Sequence, residues 1–250
     1  MKSYGGVPHQ QFYTKEYDRY YRPHVLQKKT KLTKPTQQAS VREKVKPTKV
    51  AMEILSRLRS YNPEISAESI LDIGCGTGSN VGYLGQELHS EKVAGIESSI
   101  ECANFFQNVI GGELLGNDVD SAWHIGHKNR FDLAIMRHVL EHFLAPVSVL
   151  RKLAYVLKPN GLLYVAVPNM MSPYDALQAK WFRVVHTYYF CANTLEYSLS
   201  MANFKPLTLK SVKNELWGIF TVGNHTSKLI SVYTEQLEVI KSKLKHQKST

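Results

Sequence analysis

The sequence predicts an α/β protein, apolar strands alternating with helices around one sheet, and three stretches predict it. Ile70-Leu71-Asp72-Ile73 is a short apolar run that ends in Gly74-Cys75-Gly76-Thr77-Gly78, three glycines spaced by single residues, with helix-compatible sequence behind them. Val93-Ala94-Gly95-Ile96 is a second such run, ended by Glu97 about 20 residues past the loop. Phe131 to Met136 and Leu162 to Val167 are two more, separated by a helical stretch with Val147, Leu150, Ala154 and Leu157 on one face.

The glycine loop reads as strand, tight turn and helix N-terminus. Without a Cβ the backbone admits close approach of a ligand, and the free N–H groups of the helix start face it. Such a loop binds a nucleotide-like cofactor. The dinucleotide fingerprint G-x-G-x-x-G would place glycine at position 79, where Ser79 stands, and a P-loop would end in Gly-Lys, whereas no lysine follows the loop before Lys92. What remains is Asp72-x-Gly74-x-Gly76-x-Gly78. Glu97 stands where a ribose-binding carboxylate belongs, able to accept both ribose hydroxyls.

Composition sets bounds. The 250 residues suffice for one large domain with a sizeable core, and 43% of them are hydrophobic against 21% charged. No apolar run approaches a membrane span, and no signal-peptide core opens the chain. Cys75, Cys102 and Cys191 are scattered and odd in number, which fits neither a disulfide framework nor a zinc knuckle and predicts a cytoplasmic home. The net charge of +10 is confined to residues 1–60, with 14 Lys/Arg against 4 Asp/Glu, because the remainder balances at 17 and 17.

Taken in order, Tyr13, Tyr17, Tyr20 and Tyr21 form an aromatic stripe near helical spacing, and residues 28–49 are polar and basic. The second segment reads as solvated linker, although its charge could attract nucleic acid or another anionic partner. Val50, Ala51, Ile54, Leu55 and Leu58 give the first apolar helix face; further helices are expected to about Leu88 and through Phe105–Ile110. Glu113-Leu114-Leu115 is a weak strand before Asn117-Asp118. The Phe131 strand runs into Arg137-His138-Val139-Leu140-Glu141-His142, side chains that sit at its carboxyl end, where ligands bind in open α/β sheets. Lys158 to Gly161 reads as a turn, 207–213 and 217–222 as two final strands around Asn214-Glu215, and 226–246 as a helix. Ile230, Tyr233, Leu237, Ile240 and Leu244 make a heptad-like seam on that helix, which packs on its own domain or pairs two copies; a monomer and a homodimer are both open.

The glycine loop, Phe131-Asp132, Leu140-Glu141-His142, Leu157-Lys158-Pro159-Asn160-Gly161, Val167-Pro168-Asn169 and the later His186-x-Tyr188-Tyr189-Phe190 resemble the class I S-adenosylmethionine-dependent methyltransferases. Within them they resemble the branch of ubiquinone-pathway O-methyltransferases and related small-molecule methylases, over residues 50–210. The resemblance implies a Rossmann-like sandwich: a mostly parallel sheet with a C-terminal antiparallel hairpin and helices on both faces. It implies S-adenosyl-L-methionine as cofactor, held by Asp72, Gly74, Cys75, Gly76, Gly78, Glu97, Asp118 (at the adenine amino group) and Arg137, and a small-molecule acceptor. The chain then divides into a basic extension and candidate substrate cap at 1–49, a methyltransferase domain at 50–225, and a C-terminal helix and tail at 226–250. Two positions depart from the family pattern: His138 replaces a frequent acid, and Asn160 a glycine.

A hydroxyl acceptor needs a base, and His142 is the first candidate, with His186 second. His138, Glu141, His142 and His186 could instead hold a divalent metal, but the expectation is a base and no metal. The rival classes are a nicotinamide oxidoreductase, disfavoured by the missing glycine, and a non-catalytic cofactor-binding or nucleic-acid-binding module.

Overall fold

The computed structural model describes residues 3–4, 7–8, 45–174, 177, 181–183 and 185–247. The tyrosine stripe and nearly all of the basic segment lie outside the described residues. A two-residue pair, β1 (Ser3–Tyr4) and β2 (Val7–Pro8), stands apart from the main sheet.

Helix α1 (Lys49–Tyr61) starts where the Thr48 side chain caps the Ala51 N–H, and Ala51, Ile54, Leu55 and Leu58 bury its apolar face. Then come β3 (Ser69–Ile73), α2 (Ser79–Glu87), β4 (Lys92–Ile96), α3 (Ile100–Phe105) with a π turn over Phe106–Ile110, and β5 (Glu113–Gly116). β6 (Phe131–Arg137) leads into a 3-10 turn, Leu140–His142, followed by α4 (Pro146–Val156), β7 (Leu157–Pro168), α5 (Ala192–Ser200), β8 (Phe204–Val212), β9 (Glu215–Val222) and α6 (Tyr233–Gln247).

The seven-stranded sheet has the order β5-β4-β3-β6-β7-β9-β8. Pairings are parallel from β5 through β7, and β9 runs antiparallel to both β7 and β8. The expected sandwich with its C-terminal hairpin is therefore present. Period-two alternation sends strand side chains to two cores. Ile70, Leu133, Ile135, Tyr164 and Trp217 pack under α1 and α2, while Leu71, Ala134, Met136 and Val165 pack against α4 and α5. Strand order reverses between β3 and β6, so the carboxyl ends of these two strands flank a crevice.

Two expectations on local structure are corrected. The turn expected at Lys158–Gly161 is absorbed into β7 as a register slip against β6, with Asn160 in the left-handed region at φ 65°. The C-terminal helix starts at Tyr233 rather than 226, because Asn193 holds the preceding segment extended: its side chain takes the Ile230 N–H and donates to the Lys228 carbonyl, both at 3.0 Å. The far half of the apolar seam, Ile240 and Leu244, packs on Met170, Leu177 and Trp181 of its own domain, while Ile230 and Tyr233 are exposed.

One element was not legible in the periodicity. Arg57 lies on the buried side of α1, its guanidinium 5.0 Å above the Trp217 ring, donating to Tyr164 Oη at 2.8 Å and to Glu215 Oε1 at 2.5 Å. This ion pair fastens α1 to the start of β9. Arg57→Ala removes a charged hydrogen bond while Glu215 keeps Arg137 and His138, so it is expected to cost about 1.5–3 kcal/mol in urea unfolding. A loss below about 1 kcal/mol, the range of an exposed pair, would show that the pair is solvated.

Candidate active site

The glycine loop closes on Glu97. The Gly74 and Cys75 N–H groups both point at the Ile96 carbonyl, at 2.8 and 3.2 Å, which ties the loop to the end of β4. Glu97, only 5% exposed, accepts the Gly76 N–H on Oε2 and the Ser99 N–H on Oε1, each at 2.8 Å. All three glycines have positive φ, but their surroundings differ. A Cβ at Gly74 would strike Val139 at 2.6 Å and one at Gly78 would strike Phe106 at 2.1 Å, whereas at Gly76 it would meet nothing within 4 Å. Gly76 thus faces open space at the crevice, bordered by backbone and a buried acid. That cradle fits the cofactor implied by the sequence.

The remaining cofactor candidates separate. Asp72 is buried, and its burial together with the nearby Glu97 raises its carboxyl to about 8. Cys75 turns its thiol into the α1/α2 core, where burial pushes it up out of reach of ionisation, so only its backbone belongs to the loop. Asp118 is half-buried after β5 and accepts the Asp120 N–H at 2.8 Å, closing a turn. Arg137 points the other way, to Glu215 at 2.9 Å and Glu53 at 3.6 Å.

Around Arg137 lies a cavity of about 440 Å³, lined by Glu53 and Arg57 of α1, Arg137 and His138 at the end of β6, and Val212 to Glu215 of the hairpin. Glu215 is its electrostatic centre. Burial would raise this carboxyl, but the His138 hydrogen bond, the Arg137 charge and the Arg57 hydrogen bond overcome that and hold it at about 2. His138 sits at φ 53°, its N–H on the Ala166 carbonyl, and Nε2 donates to Glu215 Oε2 at 2.6 Å. Sequence reasoning missed Glu53, Arg57 and Glu215. The available signal was an arginine on an otherwise apolar helix face.

His138 also stands 3.7 Å, through Nδ1, from Glu141 Oε1. Glu141 is 2% exposed, its Oε2 lacks a hydrogen-bond partner, and burial, against the opposing His138 charge, raises its carboxyl to about 7. The rings of His142 and His186 meet edge to face at 4.8 Å. His142 Nδ1 donates to the Val185 carbonyl at 3.0 Å, and its Nε2 lies 3.9 Å from Glu141 Oε1. Burial, aided by His142 and Arg183, pulls His186 down to about 3, so its ring is neutral. Thr187 and Tyr188 hold the segment carrying His186 onto the Glu141 carbonyl through their N–H groups, at 2.8 and 3.1 Å. The two histidines chosen from the sequence are therefore brought together, beside an acid that was not chosen as a catalytic group.

Asp72 carries a pH consequence. Its folded value near 8 exceeds the unfolded value near 4, so the native state holds the proton more tightly. The stability it contributes is complete below about pH 4 and lost as pH rises through about 8. In Asp72→Asn, the stability lost between about pH 5 and about pH 8.5 should shrink relative to wild type. Equal losses in urea unfolding at the two pH values would acquit this carboxyl.

A family model described as a methyltransferase domain matches residues 41–209. The tRNA U34 carboxymethyltransferase of Desulfotalea psychrophila is 27% identical over 143 residues, 54% of this chain and 43% of that protein, so the chain spans less than half of that relative's length. Among solved structures, the [4+2]-cyclase SpnF superposes with a TM-score of 0.64 at 16% identity, over 87% of this chain and 98% of its own. An S-adenosylmethionine-dependent methyltransferase from Mesorhizobium loti gives 0.53 at 17% identity, over 66% and 95%. At these identities the superpositions show a shared fold, and the ubiquinone-pathway branch is not singled out by any of them. The glycine cradle, the sheet order and the family match agree: this chain belongs to the methyltransferase-domain family, with S-adenosyl-L-methionine as its cofactor.

Proposed function

We propose that this chain methylates a hydroxyl of a small-molecule acceptor held in the 440 Å³ cavity between α1, the end of β6 and the hairpin. One observation carries the reading. His138 lines that cavity and also reaches Glu141, so a compartment of ligand size adjoins the Glu141–His142–His186 cluster through a single side chain.

In this reading Gly76 and Glu97 receive the cofactor, Glu97 taking ribose hydroxyls, with Asp118 beside the adenine. When bound, the cofactor supplies a methyl group on a positively charged sulfur. Cys75 shapes the loop from inside, and Arg137 is reassigned from the cofactor to the acceptor cavity. The walls of that cavity are fixed by the Glu215 ion pairs, so positioning the acceptor requires little reorganisation. Proton removal falls to the cluster. His186, at about 3, is too weak a base at neutral pH, whereas His142 has its Nδ1–H committed to Val185 and turns Nε2 toward the cluster.

A second reading, a nucleic-acid acceptor, draws on the basic first 60 residues and on the name of the Desulfotalea relative. Labelled cofactor offered with pools of small metabolites and of RNA separates them: label in the small-molecule fraction supports the proposal, and label in RNA replaces it. Binding without transfer to either pool would favour a non-catalytic module.

By calorimetry Gly76→Val should abolish cofactor binding, because its side chain fills the open space, and retained binding would remove the loop from the site. Glu97→Ala should lose about 1–3 kcal/mol of cofactor affinity. His142→Ala should lower turnover roughly 10²–10⁴-fold at unchanged cofactor affinity. A parallel loss of cofactor binding would make His142 structural instead.

A further inference from the structure

We propose that Lys152 is a positioning residue for the cofactor: its ammonium fixes the loop after β5 so that Asp118 meets the amino group of the adenine, and thereby sets the preference for that base. The inference rests on the proposed place of Asp118 and adds the residue that holds it there. Lys152 lies on α4. Its Nζ donates to three successive carbonyls, those of Val119 at 2.8 Å, Asp120 at 2.9 Å and Ser121 at 2.8 Å. An ammonium carries three donors, so all of them are spent on this one loop.

The loop is held on two sides. In front, the Asn117 side-chain amide donates to the Glu97 carbonyl at 2.9 Å, so the loop starts on the backbone of the acid assigned to the ribose. Behind, Lys152 gathers the three carbonyls, and the Trp123 indole N–H adds a second bond to the Val119 carbonyl at 3.0 Å. Tyr155, three residues further along α4, meets the His124 ring edge to face at 5.8 Å, a second contact from the same helix. Asp118 lies between these anchors. Its Oδ1 accepts the Asp120 N–H at 2.8 Å, which orients the carboxylate, and its Oδ2 accepts no hydrogen bond among the described residues. The Ser121 hydroxyl and N–H close the turn on the Asp118 carbonyl, at 2.7 and 3.2 Å.

Three carbonyl dipoles aimed at one point repel one another unless a cation sits among them. Burial lowers the Lys152 ammonium from its ordinary value, against the opposing charges of Asp120 and Asp118. Without the ammonium the carbonyls turn to water, and Asp118 moves with the backbone that carries it. The loss then falls on one contact of the ligand and not on its whole surface. A carboxylate accepts from an amino group and gains nothing from a carbonyl oxygen, so the effect is selective for the base.

The test is calorimetry on the full chain with two probes, S-adenosylhomocysteine and S-inosylhomocysteine, which carry an amino group and a carbonyl oxygen at the same position of the base. The wild type should bind the adenosyl probe at least about 10-fold more tightly. Lys152→Met keeps an unbranched stem without donors. It should weaken the adenosyl probe about 10-fold and leave the inosyl probe unchanged, which also reports that the variant folds. Lys152→Gln is the second variant if the first does not fold. Asp118→Ala should close the gap in the same way, and the double variant should lose no more than either alone, because the two residues act as one unit. Equal weakening of both probes by the Lys152 variants, additive losses, or a gap lost in Asp118→Ala but kept without Lys152 overturns the positioning role alone. A wild type without a gap, or a gap kept by Asp118→Ala, fails the reading of Asp118 and the proposal with it.

Discussion

Glu215 is the interaction on which the carboxyl edge of the sheet depends. One carboxylate at the hairpin turn takes Arg57 from α1, Arg137 from the end of β6 and His138 from the residue after it. Taking these charges from water is costly, and buried ion pairs return little net stability over a packed apolar core. What the arrangement supplies is placement. Three elements distant in sequence are fixed against one another at the mouth of the crevice, with a cavity among them. Glu215 stays ionised because three donors outweigh its desolvation.

The other buried acids along this edge show the opposite balance. Asp72 and Glu141 lack such a set of cations, so desolvation dominates and their carboxyls rise to about 8 and about 7. Glu97 is stabilised differently, by two backbone N–H groups at the loop and at the start of α3. The same residue type therefore does three jobs within one edge: counter-ion, loop latch and underpaired buried acid. Only the neighbours distinguish them.

The fold constrains the reaction less than these side chains do. A cyclase and methyltransferases share this architecture at identities below a fifth, so the sheet locates a crevice and leaves the chemistry to what projects into it. In this chain two kinds of group project there. The glycine loop is generic to the cofactor, whereas the proposed function assigns the Glu141–His142–His186 cluster and the Glu215 cavity to the acceptor side.

Sequence alone determined the strands, the loop and the layer order, because each rests on local rules. Ile70, Leu71 and Ile73 are apolar on both faces of a buried parallel strand, and positive φ at Gly74, Gly76 and Gly78 demands the residue found there. The place of Glu97 at the end of β4 was legible from its spacing, and that of His142 after β6 from its motif. Tertiary structure decided the rest. That Arg57 is buried follows from Glu215 lying 158 positions away, and no periodicity encodes that partner. Asn193, far from α6 in sequence, sets where that helix starts. His186 joins Glu141 because Thr187 and Tyr188 bond back to its carbonyl across more than 40 residues. Contacts of that span depend on chain closure around a finished sheet, so their partners became visible only once the sheet was built.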